Sequence, residues 1–354
     1  MATRLAAVLS LASVMWVVRG EEFLGRFARW DGGWYLWVSR EGYPSSLAEE
    51  AGGNRLAFFP ALPMLHRAVR TVTGFDEQLA AVLVAWVLAV AAVVAVWVLA
   101  RDAVDRRTAD AAALVFACSP AAFVLGFFYT ESLLVVAACV ALVALRRRLW
   151  WVAGLAALVA GVTRVSGLAV VATVVLAGVV ELVRHRRIGA LWAVVLAPLG
   201  FVAWTAFLWE RTGDPIAFST VQVTFGNDAA FLTPAIRWFG LALGIGGQGD
   251  VRADLTAFGV VAAVVGLVCL WVVRRRIPWT WWPYTVLIVI FSFSSEWPHN
   301  SLRYLLPAVP VFVAVALLLP RRWLVPWVVV STSAMLAMQT LTIVGPGEFQ
   351  AITP

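Results

Sequence analysis

Apolar runs separated by short arginine-bearing breaks fill most of this chain. A membrane-spanning helix needs about 20 mostly apolar residues. Runs near that length fall at roughly 5–18, 79–100, 111–128, 131–145, 149–163, 165–183, 189–209, 256–273, 279–294, 303–320 and 323–343. The pattern predicts an all-α polytopic membrane protein with about 11 transmembrane helices, a single membrane domain over 1–354. The first run is short and follows one Arg, as in a signal peptide. The Arg19-Gly20-Glu21-Glu22 that follows offers no small-x-small cleavage site, so the run is read as a retained helix. Two less apolar segments are long, at about 19–78 and 210–255.

The first long segment carries its own periodicity. Phe27, Trp34 and Val38 recur at helical spacing, flanked by Phe23 and Trp30, which predicts an amphipathic helix over 22–40 lying in the membrane interface. Asp31 falls on the apolar stripe of that helix. A carboxylate aimed into an apolar layer is costly unless it is paired or used. Asp31 therefore reads either as a partner of Arg29 or a helix cap, or as a general base that takes a proton from a hydroxyl. A second short helix is expected from Pro60 to near Gly74, so the segment forms a platform of two interfacial helices. In the second long segment, Gly213-Asp214-Pro215 signals a turn, and Gln222, Asn227-Asp228 and the Gly-rich stretch 244–249 suit a substrate gate or a disordered connection.

Composition agrees with the spans. Hydrophobic residues make up 62% and charged residues 13% of the chain, with mean hydropathy +0.88, which excludes a soluble, disordered or fibrous protein. The 19 tryptophans suit the membrane–water boundary. The net charge of +7 taken alone would suit nucleic acid, but its placement argues against that partner. With the N-terminus cytoplasmic, the short inside breaks hold 15 of the 27 arginines and only 4 of the 20 acids. That asymmetry sets orientation in a plasma membrane, and it puts both long segments and any active site on the outer face. No Walker A motif occurs, and the short inside breaks leave no room for a nucleotide-binding unit. Cys118, Cys139 and Cys269 lie in apolar runs, with no disulfide framework and no CxxC spacing.

Several motifs then resemble one family. Arg29-Trp30-Asp31, Gly42-Tyr43 and Ala57-Phe58-Phe59-Pro60 resemble the WD, GY and FFP pattern of the PIG-V-type GPI mannosyltransferases, which have the GT-C fold. Cys118-Ser119-Pro120, Tyr129-Thr130-Glu131-Ser132, the Gly161-to-Gly167 stretch around Arg164, and Arg303-Tyr304 with Pro307 resemble its later motifs, in order over about 22–320. The resemblance implies an inverting glycosyltransferase that takes a sugar, mannose, from a polyprenyl-phosphate donor, with Asp31 as the general base. No cofactor and no metal is expected. The load of Ala, Val, Gly and Arg without Lys fits a high-GC bacterial genome, which has no GPI precursor. The acceptor therefore stays open between a glycolipid, a cell-wall polymer and a protein.

Ionisable groups at membrane depth are functional candidates. Glu131, Arg164 and Arg303 all fall at the outer end of the expected bundle, with Glu296, His299 and Asn300 just before Arg303. A leaving lipid phosphate calls for fixed cations, and Arg supplies bidentate contacts. Arg164 and Arg303 are the expected phosphate ligands, with Tyr304 and His299 as donors. The structural alternatives are an Arg164–Glu131 pair that closes the bundle and snorkelling of Arg303. Arg29, Trp30, Tyr43, Arg55, Phe59, Glu131 and Asn300 complete the expected substrate-binding set. His66 and His185 read as surface residues, and His299 lacks the partners for a metal site. Two competing functions are a transporter or flippase of lipid-linked sugar and a structural protein. Midplanes of almost pure Ala, Val, Leu and Trp, and the lack of an internal repeat, weigh against transport.

Overall fold

The structure, a computed structural model, describes residues 24–50, 52–225, 233–245, 251–294 and 298–344. The expected span at 5–18, Asn227-Asp228, Glu296 and most of the stretch 244–249 lie outside them. Every regular element among the described residues is helical.

A 3₁₀ turn, Leu24–Ala28, leads into α1 (Asp31–Glu41), and α2 (Ala61–Thr73) starts directly after Pro60. Gly74 closes α2 with φ 70°, the left-handed conformation that glycine reaches without a Cβ clash. The one helix expected over 22–40 is thus two pieces. The break is at Trp30, which has φ 52°, and hydrophobic spacing carries no signal for a positive φ.

The bundle begins with α3 (Glu77–Ala103) and α4 (Arg106–Ala117). Asp76 and Asp105 start them, each accepting first-turn backbone N–H groups. Then come α5 (Glu131–Arg146), α6 (Trp150–Gly161), α7 (Leu168–His185) and α8 (Leu191–Thr212). After α8 lie α9 (Ala217–Thr220), the 3₁₀ turn Val221–Phe225 and α10 (Thr233–Ala242). The last described elements are α11 (Val251–Val273), α12 (Trp281–Phe293), α13 (Ser301–Leu305), α14 (Val309–Leu318) and α15 (Arg321–Val344).

Five helical runs among the described residues are long and apolar enough to cross a bilayer, or seven if two bent pairs each count once. The expected eleven is not reached by this measure. α6 and α12 are apolar but only 12 and 13 residues long. Two expected spans are bent, by 78° between α4 and the 3₁₀ turn Pro120–Gly126, and by 72° between Pro298–Leu305 and α14. Pro120 and Pro307 stand at these corners, where a missing N–H interrupts the helical ladder. Broken helices at membrane depth occur where they are buried or line a cavity.

Lipid tails are as apolar as leucine, so close packing rather than water exclusion joins the helices of a bundle. Gly200 on α8 shows this: a Cβ there would collide with the Leu158 carbonyl of α6. At the end of the bundle that carries the long segments, the first segment docks through Tyr35, Val38, Leu56, Phe59 and Leu62, packed with Phe128 and Trp204. In water each such large side chain contributes about 1.5–3 kcal/mol on burial.

His66 belongs to the same junction, correcting the expectation of a surface residue. It is fully buried, with Nδ1 2.8 Å from Ser39 Oγ on α1 and Nε2 3.0 Å from the Glu77 carbonyl of α3. A carbonyl only accepts, so Nε2 donates and Nδ1 takes the hydroxyl proton of Ser39. The start of the second long segment is also held by local bonds. Gly213 caps α8, and the Asp214 carboxylate accepts from Ile216 N and Thr220 Oγ1.

Candidate active site

The site forms where α1, the start of α5, the turn before α7 and α13 meet. Trp30 turns the chain through its left-handed φ, and Asp31 opens α1. A non-glycine residue in that region costs free energy and persists only where its surroundings hold it. Trp30 is held by packing on Phe127. The Asp31 side chain keeps 29% of its surface exposed and receives Arg303 Nη2 at 2.6 Å. It does not cap α1.

Arg303 continues the chain of charges. Its Nε donates to Glu131 Oε1 at 2.5 Å, and the same oxygen accepts Arg164 Nη1 at 2.6 Å. The order Asp31–Arg303–Glu131–Arg164 alternates in sign, so each buried charge has an opposite neighbour to offset its lost hydration. Two rings flank the cations. Arg303 lies 4.0 Å above the Tyr129 ring, and Arg164 lies 5.1 Å from the Tyr304 ring. Both carboxylates open helices, where exposed backbone N–H groups favour anions. Of the three ionic contacts, two join residues 172 and 272 positions apart.

Asp31, Arg164 and Arg303 line a cavity of about 560 Å³, together with Trp30, Phe59, His299, Asn300 and Tyr304. Glu131 does not line it. It is wholly buried behind the two guanidinium groups. The expected Arg164–Glu131 pair is thus present while Arg164 still reaches the cavity. Arg303 is 5% exposed and ion-paired, which rules out the snorkelling alternative.

Three expected site residues stand elsewhere. Arg29 is exposed and outside the cavity lining. Tyr43 is buried, and its hydroxyl donates to the Phe58 carbonyl. Arg55 is a clasp within the first segment. It bonds Glu50 at 2.9 Å and Glu41 at 3.2 Å, and it stacks over Trp37. Its hydrogen bond holds the Glu50 carboxyl below the usual carboxylate range. Trp34, Tyr35, Phe58, Ser219 and Phe225 line the cavity without having been singled out for it, and Gln222, from the segment read as a substrate gate, lines it too. Trp34 follows Asp31 by nearly one helical turn, a spacing that could have flagged it. Burial pushes the Tyr35 hydroxyl up, so it stays protonated beside Thr130 Oγ1, 3.4 Å away.

A second, apolar cavity of about 210 Å³ adjoins the first, lined by Phe123, Val124, Phe127, Leu255, Phe258 and Met338. His299, Asn300 and Arg303 line both. Among the described residues, Arg303 Nη1 is a buried donor without a hydrogen-bond partner. Such groups are rare in folded proteins and ask for an explanation.

No protein-family model matches the chain, and no curated protein matches it. Solved structures do. ArnT from Cupriavidus metallidurans bound to undecaprenyl phosphate aligns with TM-score 0.57 and 16% identity, over 96% of this chain and 65% of that one. The apo ArnT aligns with TM-score 0.50 and 18% identity over 98% and 67%. The oligosaccharyltransferase of Archaeoglobus fulgidus aligns with TM-score 0.50 and 13% identity over 88% and 51%. The fold is GT-C-like. This chain spans about half to two thirds of the length of these GT-C proteins. Identity this low carries the fold and leaves the chemistry to be argued from the site.

Proposed function

We propose that the chain is a membrane glycosyltransferase whose donor is a polyprenyl-phosphate sugar and whose active site faces the outer side of a plasma membrane. The observation that carries this reading is the position of Arg303. It lies on the wall shared by a charged cavity and an apolar one, beside Asp31. A lipid phosphate has the matching parts, an anionic head and an apolar chain. The undecaprenyl phosphate bound to ArnT is a ligand of that class. The PIG-V resemblance selects mannose as the sugar, while the acceptor, which that resemblance does not carry over, is proposed to be a glycolipid or cell-wall component.

In this reaction the acceptor hydroxyl gives its proton to Asp31 while its oxygen attacks the anomeric carbon. The bond from that carbon to the phosphate oxygen breaks, and the configuration inverts. Negative charge gathers on the leaving phosphate, where Arg164 and Arg303 stand already oriented.

The test uses purified protein in nanodiscs, radiolabelled polyprenyl-phosphate mannose, total lipids and cell-wall extract. Label is expected to enter a new product with the wild-type protein, and Asp31→Asn should fold normally and transfer nothing. Transfer at the wild-type rate by Asp31→Asn would rule out this base. Movement of donor across liposomes without a new glycosidic bond would replace the enzyme with a transporter.

A further inference from the structure

The charged cavity has two unlike sides. Its charged lining residues, Asp31, Arg164 and Arg303, all belong to the one ladder that runs through Glu131. Among the described lining residues, the side made by α1, the loop at Phe58 and the 217–225 stretch carries no charge. It presents Trp34, Phe58 and Phe225, with Ser219 and Gln222 as uncharged hydrogen-bonding groups.

The aromatic side is built to a fixed shape. Trp34 and Phe58 stack with centroids 5.6 Å apart and planes 8° apart. Phe225 stands nearly perpendicular to both, at 5.4 and 5.8 Å. Gly53 lies against this group, and a Cβ there would run into the Phe225 ring and Trp34. The rings are therefore seated on backbone that has no room to give.

We infer that this side is the acceptor subsite and that it takes an uncharged saccharide ring. The inference rests on the proposed glycosyltransferase reading and names the acceptor class that reading leaves open. Three arguments support it. A pyranose has apolar C–H faces and a rim of hydroxyls. Trp34 is already stacked on Trp37 and Phe58, so the Phe225 ring set across that stack fits the first, and serine and glutamine side chains fit the second. An anionic acceptor would need a cation of its own, whereas both lining arginines serve the donor phosphate. A cavity of about 560 Å³ is in the range that encloses a drug-sized ligand, enough for a donor sugar and an acceptor ring together. Asp31, at the junction of the two sides, then faces the acceptor hydroxyl.

The test keeps the donor fixed and changes the acceptor. Nanodisc protein receives radiolabelled polyprenyl-phosphate mannose with methyl α-D-mannopyranoside, methyl α-D-glucopyranoside, a mannoside 6-phosphate or a serine- and threonine-containing peptide. Total lipid and cell-wall extract serves as the reference acceptor. A neutral glycoside is expected to accept label. Gln222→Ala is expected to raise its KM about tenfold, the loss of roughly one hydrogen bond, with donor KM unchanged. Gly53→Ala should do the same by displacing Phe225, without deleting any polar group. Binding of the glycosides by saturation-transfer NMR to Asp31→Asn protein reads the subsite when chemistry is blocked. Transfer to extract but only to the phosphorylated sugar or the peptide would overturn the inference and leave the enzyme reading standing. So would an unchanged acceptor KM in both variants when each melts like wild type. Failure of transfer to every acceptor, extract included, would count against the glycosyltransferase reading itself.

Discussion

Arg303 serves two carboxylates at once, with Nε on Glu131 and Nη2 on Asp31. Lysine has the charge but not the planar fork, so it cannot hold both acceptors in this geometry. Removing one partner of a buried ionic group costs about 3–5 kcal/mol, because the remaining charge loses its counterpart. Arg303→Ala is expected to destabilise by that order, and Arg303→Lys to fold better yet stay inactive. Thermal melts beside transfer assays separate the two. Glu131 acts through the arginines. Glu131→Gln keeps its shape and weakens its grip on both, so donor KM should rise by more than kcat falls. An unchanged donor KM would leave Glu131 as a packing residue only. Much of this was legible in the sequence. Asp31, Glu131, Arg164 and Arg303 stand out as charges set in apolar surroundings. Their roles were not, since whether a side chain faces a cavity or lies behind it depends on packing between residues far apart in the chain. The mistaken placement of Arg55 has the same origin: its partners Glu41 and Glu50 sit at the end of α1 and in the loop that follows, where periodicity gives no signal.

Elements were read well where apolar periodicity is long and poorly where the backbone bends. The start of α2 after Pro60 and its end at Gly74 follow from residue chemistry that a sequence displays. The bends at Ser119-Pro120 and before Val309 interrupt runs that stay apolar throughout, so hydropathy alone counts each as one straight span. The junction of α1, α2 and α3 carries a pH prediction. Burial holds the His66 imidazole below its ordinary 6.5, against the opposing pull of Glu77 and with the aid of Arg70. As pH falls through about 6.5 the unfolded chain takes up the proton first, so stability is complete above that value and declines below it. Protonation would also give Nδ1 a hydrogen where it now accepts from Ser39. Melting temperature is expected to fall from pH 8 to about pH 5.5, and the His66→Gln variant should lose most of that slope. Parallel slopes in the two proteins would remove His66 from the explanation.

For the whole molecule, the arginine distribution predicts which end meets the cytoplasm. Arg146 and Arg147 both bond Asp102, at 2.9 and 2.7 Å, joining the arginine-bearing ends of α3 and α5. The long segments with Asp31 and Gln222 gather at the other ends of the helices they adjoin. In a chain whose three cysteines are changed to alanine, Ser45→Cys should react with a membrane-impermeant maleimide on intact cells. Arg148→Cys should react only after permeabilisation. Both positions are exposed, so accessibility of the side chain does not confuse the readout. The reverse pattern would invert the orientation and move the proposed reaction to the cytoplasmic face.

One atom, Glu131 Oε1, receives both Arg164 and Arg303. The two guanidinium groups therefore do not have independent positions. A shift of one is felt by the other through a shared hinge point, and their effects on a ligand are non-additive by construction. The gap between two cations on a cavity wall is then a single inherited dimension, fixed by a side chain that contacts neither cavity. A relative that served a donor with a differently sized head would have to alter that hidden spacer before altering anything the donor touches.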